Sequence, residues 1–66
     1  MTKYTDLEVW RADAKKMGAK IDAITLGNRI TRYWAIADNE QVLGFYYESR
    51  PNPEQNEGFL SLEKTL

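Results

Sequence analysis

Apolar and polar positions along this chain follow two different periods. From Leu7 to Met17 the apolar residues Leu7, Trp10, Ala14 and Met17 recur at spacings of three, four and three, which is one stripe of a helix. Thr5 followed by Glu8 fits a capping box, in which two side chains satisfy two orphaned backbone donors. Tyr4 precedes that cap and is placed to staple onto Val9. Lys15 and Lys16 fall in the last turn, where cations suit the negative end of the helix dipole, and Gly18 suits a left-handed stop. The spacing predicts a helix over about residues 6–17.

Beyond Lys20 the period shortens to two. Gly27–Asn28 lies between β-branched segments and reads as a two-residue hairpin turn. That register sets Leu26 against Arg29, Ile24 against Thr31, Asp22 against Tyr33 and Ile21 against Trp34. A second turn at Asp38-Asn39-Glu40-Gln41 pairs Ile36 with Leu43, Trp34 with Phe45 and Tyr33 with Tyr46. Strands are thus expected at about 20–26, 29–37 and 42–49. Together the two turns sort Ile21, Ala23, Ile30, Trp34, Ile36, Leu43, Phe45 and Tyr47 onto one face, expected to meet the helix as the core. The other face collects Ile24, Leu26, Tyr33, Ala35, Val42, Gly44 and Tyr46, a semi-apolar outer surface with two opposed tyrosines and a shallow floor at Gly44.

Residues 50–58 hold two prolines, two asparagines and a glycine and read as a loop. The segment 59–64 reads as a short edge strand, although Phe59, Leu62 and Leu66 also fit a helical turn. The expected fold class is α+β: one domain over residues 1–66, with an N-terminal helix on a three- or four-stranded antiparallel meander. Its element order resembles that of a double-stranded-RNA-binding domain. That family ends in a long basic helix, whereas FLSLEKTL is short and nearly uncharged, so no residue role carries over.

Composition narrows the chemistry. The 66 residues contain no cysteine and no histidine, so disulfides, thiolate metal sites and the commonest general base are missing. An apolar content of 42% with Trp 2, Tyr 4 and Phe 2 is enough for a small core. No run is long and apolar enough for a membrane span, and residues 1–18 lack the centre of a signal peptide. These features set the expectation of a soluble, cytoplasmic protein. The size suits the small regulatory or accessory proteins that phages and bacteria encode. The net charge of −1 divides unevenly, +3 over residues 1–34 and −4 over residues 35–66.

No catalytic residue, cofactor site or metal site is expected. The carboxylate pairs Asp38 with Glu40 and Glu54 with Glu57 fall in polar segments, where nothing pulls their pKa values apart. Ser49 and Ser61 have no histidine to activate them, and no calcium-loop, P-loop or dinucleotide pattern occurs. What remains is binding. The first expectation is a protein partner, with a second copy of the chain among the candidates, docking on Tyr33, Tyr46, Ile24, Leu26 and Val42. The alternative is nucleic acid, held by Arg29, Arg32, Tyr33 and Tyr46 as a stacking platform with cations. The overall acidity counts against it.

Overall fold

The computed structural model describes residues 2–61 and confirms the α+β class. Its elements are β1 (Thr2–Tyr4), α1 (Leu7–Lys16), β2 (Lys20–Leu26), β3 (Ile30–Ile36), β4 (Val42–Ser49) and β5 (Glu57–Leu60), with a 3₁₀ turn at Pro53–Gln55. All neighbours are antiparallel, in the order β1-β5-β4-β3-β2. The helix carries the chain from one edge of the sheet to the other. The meander β2–β5 then walks back until β5 meets β1. The C-terminal segment is therefore a strand, but an interior one rather than an edge; the remainder of the expected element, residues 62–64, lies outside the described residues.

The helix begins with its apolar stripe at Leu7, one residue later than the expected start at 6. Asp6, not Thr5, is the cap: its extended backbone leaves the Asp6 carboxylate to accept from the Glu8 and Val9 amides at 2.9 and 3.4 Å. Thr5 is displaced because Thr2–Tyr4 forms β1, an element whose three residues are too few to show a period. Tyr4 pairs with Gly58 and is buried, and its hydroxyl donates to Asp13 at 2.6 Å. Val9 stays half exposed, so the expected staple does not form. The C-terminal reading holds: Gly18 is left-handed at φ 82°, and Lys15 and Lys16 lie in the last turn. Of the stripe, Trp10 and Ala14 are buried, with Leu7 and Met17 packed beside them.

The first hairpin is shifted by one residue. Gly27 and Asn28 are both left-handed, at φ 58° and 63°, and the Arg29 amide donates to the Leu26 carbonyl at 3.2 Å. Pairing resumes at Ile30, however, because the Arg29 carbonyl is drawn off to accept from the Arg50 amide of the neighbouring strand end at 2.8 Å. Arg29 is thus an extra residue, and β2 is turned over relative to the two-residue register: Asp22 faces Trp34 and Ile24 faces Arg32. The β3–β4 pairs Trp34–Phe45 and Tyr33–Tyr46 are as expected. A bulge then pairs Ile36 with Val42 in place of Leu43.

The larger correction concerns which face is inside. Tyr46, Ala35 and Leu60 are fully buried beneath Trp10, whereas Phe45 on the opposite face is 42% exposed. The face expected to be outward carries the core, and the reason is shape. Ala35, Gly44 and Gly58 lie on the helix side, where partners across the ladder are Leu60 and Tyr46. A Cβ at Gly44 would strike the Phe59 carbonyl and come within 2.9 Å of the Leu60 Cα; one at Gly58 would strike the Tyr46 ring. These gaps let Leu60 and Tyr46 lie flat and leave depth for an indole above them. The shallow floor at Gly44 exists, but Leu60 of the same chain fills it. The opposite face carries Trp34, Phe45 and Phe59 in one row, so large side chains stand where a helix would have to seat its indole.

This packing makes Gly44→Ala and Gly58→Ala destabilising by about 1–3 kcal/mol in urea unfolding, as overpacking substitutions are. Gly44→Ala should lose more, since its neighbour is backbone. Unchanged stability in both would refute this arrangement of Leu60 and Tyr46.

Candidate interaction surface

On the helix side, three rings form the centre of the fold. The Trp10 ring centroid lies 5.7 Å from that of Tyr46 and 6.3 Å from that of Tyr33, and the two tyrosines meet edge to face at 6.3 Å. The Trp10 Nε1–H donates to the Phe59 carbonyl at 3.1 Å, tying α1 to β5. The Tyr33 hydroxyl donates to Glu48 at 3.0 Å, and the Arg11 guanidinium stands 5.9 Å from the Tyr33 ring centroid. The indole N–H of Trp10 and the hydroxyl of Tyr33 are thus both used within the chain.

Among the described residues no helix lies over the other face. Ladder pairing places Asp22, Trp34, Phe45, Phe59 and Lys3 side by side across all five strands. The adjacent row is Ile24, Arg32, Tyr47 and Glu57. Phe45 and Phe59 have ring centroids 5.8 Å apart, which shields part of each. Open hollows lie on either side of Phe45. One, of about 520 Å³, is lined by Arg32, Trp34, Phe45, Tyr47 and Glu57. The other, of about 270 Å³, lies toward Val42, Leu43 and Phe59. Ile24 and Val42, 52% and 57% exposed, extend this apolar surface beyond Trp34 in both directions. The Lys3–Glu57 ion pair at 3.5 Å closes one side; both side chains are well solvated, so it adds little stability.

The five residues expected to dock a partner are therefore divided. Tyr46 is fully buried and Tyr33 half-buried under α1, while Ile24, Leu26 and Val42 lie on the opposite face. The nucleic-acid set is divided in the same way: Arg32 is on the outer face, Arg29 is in the hairpin turn, and the two tyrosines are beneath the helix. Trp34, Phe45, Tyr47 and Phe59 occupy the surface instead. Of these, Trp34, Phe45 and Tyr47 were expected in the core, and Phe59 in the C-terminal strand. The signal that marks them as outer is the set of small residues Ala35, Gly44 and Gly58 on the reverse side. Of the carboxylates singled out above, Asp38, Glu40 and Glu54 are exposed and Glu57 joins Lys3.

The tyrosines on the helix side carry the electrostatic signature of burial. Desolvation first, and then the Glu48 hydrogen bond, pushes the Tyr33 phenol above its ordinary value of 10.0. Desolvation, followed by the Asp6 and Glu48 charges, does the same to Tyr46. Tyr4 is raised mainly by its hydrogen bond to Asp13. A phenol raised in the folded state contributes stability that is complete below the unfolded value and is lost as pH climbs through the folded one. Alkaline titration should therefore show Tyr4, Tyr33 and Tyr46 ionising above 10.0, together with loss of the far-ultraviolet dichroism. Ionisation of all three at the ordinary value with the fold intact would contradict their placement.

Among the described residues no helix is long and apolar enough to cross a membrane. No protein-family model matches this chain, and neither a curated protein nor a solved structure shows significant similarity to it.

Proposed function

We propose that this chain is a non-enzymatic interaction module that docks a protein partner on the face of its sheet opposite α1. The observation that carries this reading is the row Trp34–Phe45–Phe59, in register across three adjacent strands and open to solvent at Phe45. Aromatic side chains bury large areas with few rotors and dominate the centres of protein interfaces. Around the row the charges are mixed, with Lys20 and Asp22 at one side, Lys3 and Glu57 at the other, and Arg32 between. A rim of both signs suits a protein surface better than a phosphate backbone.

One observation supports a second reading. Arg32 and Glu57 share a hollow with Trp34, Phe45 and Tyr47, so a cation and three rings are gathered where a single-stranded nucleic acid would stack. The neighbouring carboxylate and the net charge of −1 weigh against it.

A photoreactive residue at position 45 identifies and captures the partner, and position 9 on the helix serves as the control. With the purified partner, Phe45→Ala or Trp34→Ala should weaken binding by about thirtyfold, the loss typical of a central aromatic. Val9→Ala should leave it unchanged. Crosslinking from position 9 but not from 45 would sink the proposal. Salt-dependent binding of short oligonucleotides that shifts the amides around Arg32 and Trp34 would transfer the face to the second reading.

A further inference from the structure

The sheet has two edges, and they differ in kind. β1 is three residues long and is blunted by its brevity and by Lys3. β2 pairs without interruption from Lys20 to Leu26, contains no proline, bulge or left-handed residue, and is exposed at every position except Ile21. Its charges, Lys20 and Asp22, lie in its first half, leaving Ala23–Leu26 uncharged. An unguarded edge of this length is a template for another strand.

The direction of its backbone groups follows from the turn. Because the Leu26 carbonyl accepts from Arg29 inside the hairpin, alternation directs Leu26, Ile24, Asp22 and Lys20 toward β3. The N–H and C=O groups of Ile21, Ala23 and Thr25 therefore point off the edge. We propose that this edge pairs antiparallel with the same edge of a second copy, about a two-fold axis at Ala23. In that register Ala23 faces its own counterpart and Ile21 faces Thr25 of the other copy. Every outward-facing residue of both strands is then used, for about six hydrogen bonds. Lys20 lies opposite Leu26 and Asp22 opposite Ile24, so no like charges are directly opposed. An axis at Asp22 would set two carboxylates face to face, which is unfavourable. An axis at Ile24 would leave Ile21 opposite the turn residue Gly27.

The pairing is isologous, so it consumes both long edges and leaves only the two short ones. The assembly closes as a dimer instead of growing. Ile24 and Leu26, 52% and 47% exposed in one copy, gain neighbours across the axis. Both aromatic rows fall on the same side of one continuous sheet. Backbone geometry at the edge carries this inference, which holds whatever docks on the rows.

The interface is small, so association is weak and the test must reach about 1 mM protein. Sedimentation of the full chain should show a reversible monomer–dimer equilibrium. Ala23→Pro and Thr25→Pro each delete a donor that points away from the sheet, as edge strands tolerate. Each should weaken dimerisation at least tenfold, while Phe45→Ala should not. Hydrogen exchange of the unaltered protein gives an independent readout: the Ala23 and Thr25 amides should slow at least tenfold from dilute to concentrated solution. A monomer throughout overturns the proposal. So does a dimer that survives in folded proline variants, or one lost in Phe45→Ala while the edge amides exchange at an unchanged rate.

Discussion

A ten-residue helix laid on a sheet can bring few large side chains to the centre, and here the only ring it supplies there is that of Trp10. Burying an indole removes roughly 200 Å² from water, on the order of 5 kcal/mol as an upper figure. A domain of this size has a net stability of similar magnitude, about 3–10 kcal/mol. Seating Trp10 therefore decides the packing. Its ring needs depth, the depth comes from Ala35, Gly44 and Gly58, and those three residues lie on one side of the sheet. Tyr33 and Tyr46 become core because they share that side. Trp34, Phe45 and Phe59 are outside because they do not.

The two layers are also unequal. At 1.5 Å per residue the helix is about 15 Å long, whereas five strands at about 4.8 Å spacing span about 19 Å and the strands themselves run farther. The molecule measures 39 by 20 by 15 Å, its long axis exceeding what the helix can cover. Ala23 and Thr25, on the helix side of β2, are exposed for this reason. The two short strands compensate at the other edge. Inserting β5 between β4 and β1 places Leu60 under the helix and lets the Phe59 carbonyl receive the Trp10 indole N–H. A strand of four residues would be a poor edge, but it is held well from both sides.

Much of the fold was legible in the residues, and the failures have particular causes. The stripe Leu7, Trp10, Ala14 and Met17 located the helix because a 3.6-residue period has few imitators. The Asp38–Gln41 turn fixed the Trp34–Phe45 and Tyr33–Tyr46 pairs. Thr5 and Asp6 are both good caps, and only the presence of β1 chooses between them. At Arg29 the turn has the expected left-handed residues, yet a hydrogen bond to Arg50, twenty-one residues away, adds one position to the loop. No local rule contains that information. The inversion of faces has a different origin: when both sides of a ribbon are apolar, counting hydrophobic residues favours the side with more of them. The helix instead selects the side with room. Small residues in register, at Ala35, Gly44 and Gly58, are a better guide to the covered face than large ones.

That distinction also separates the residues that make the fold from those left at its surface. Tyr46 and Leu60 are fully buried, so any change there is felt first as lost packing. Phe45 retains 42% of its exposure and rests on Phe59, which itself is only half-buried. Its ring is held in place by a neighbour on the same surface and is already partly desolvated. A partner that covers such a row gains apolar burial without first extracting side chains from a core, and little rotamer freedom remains to be lost. On the proposed reading, the face opposite the helix offers an external surface an aromatic row bordered by charges of both signs.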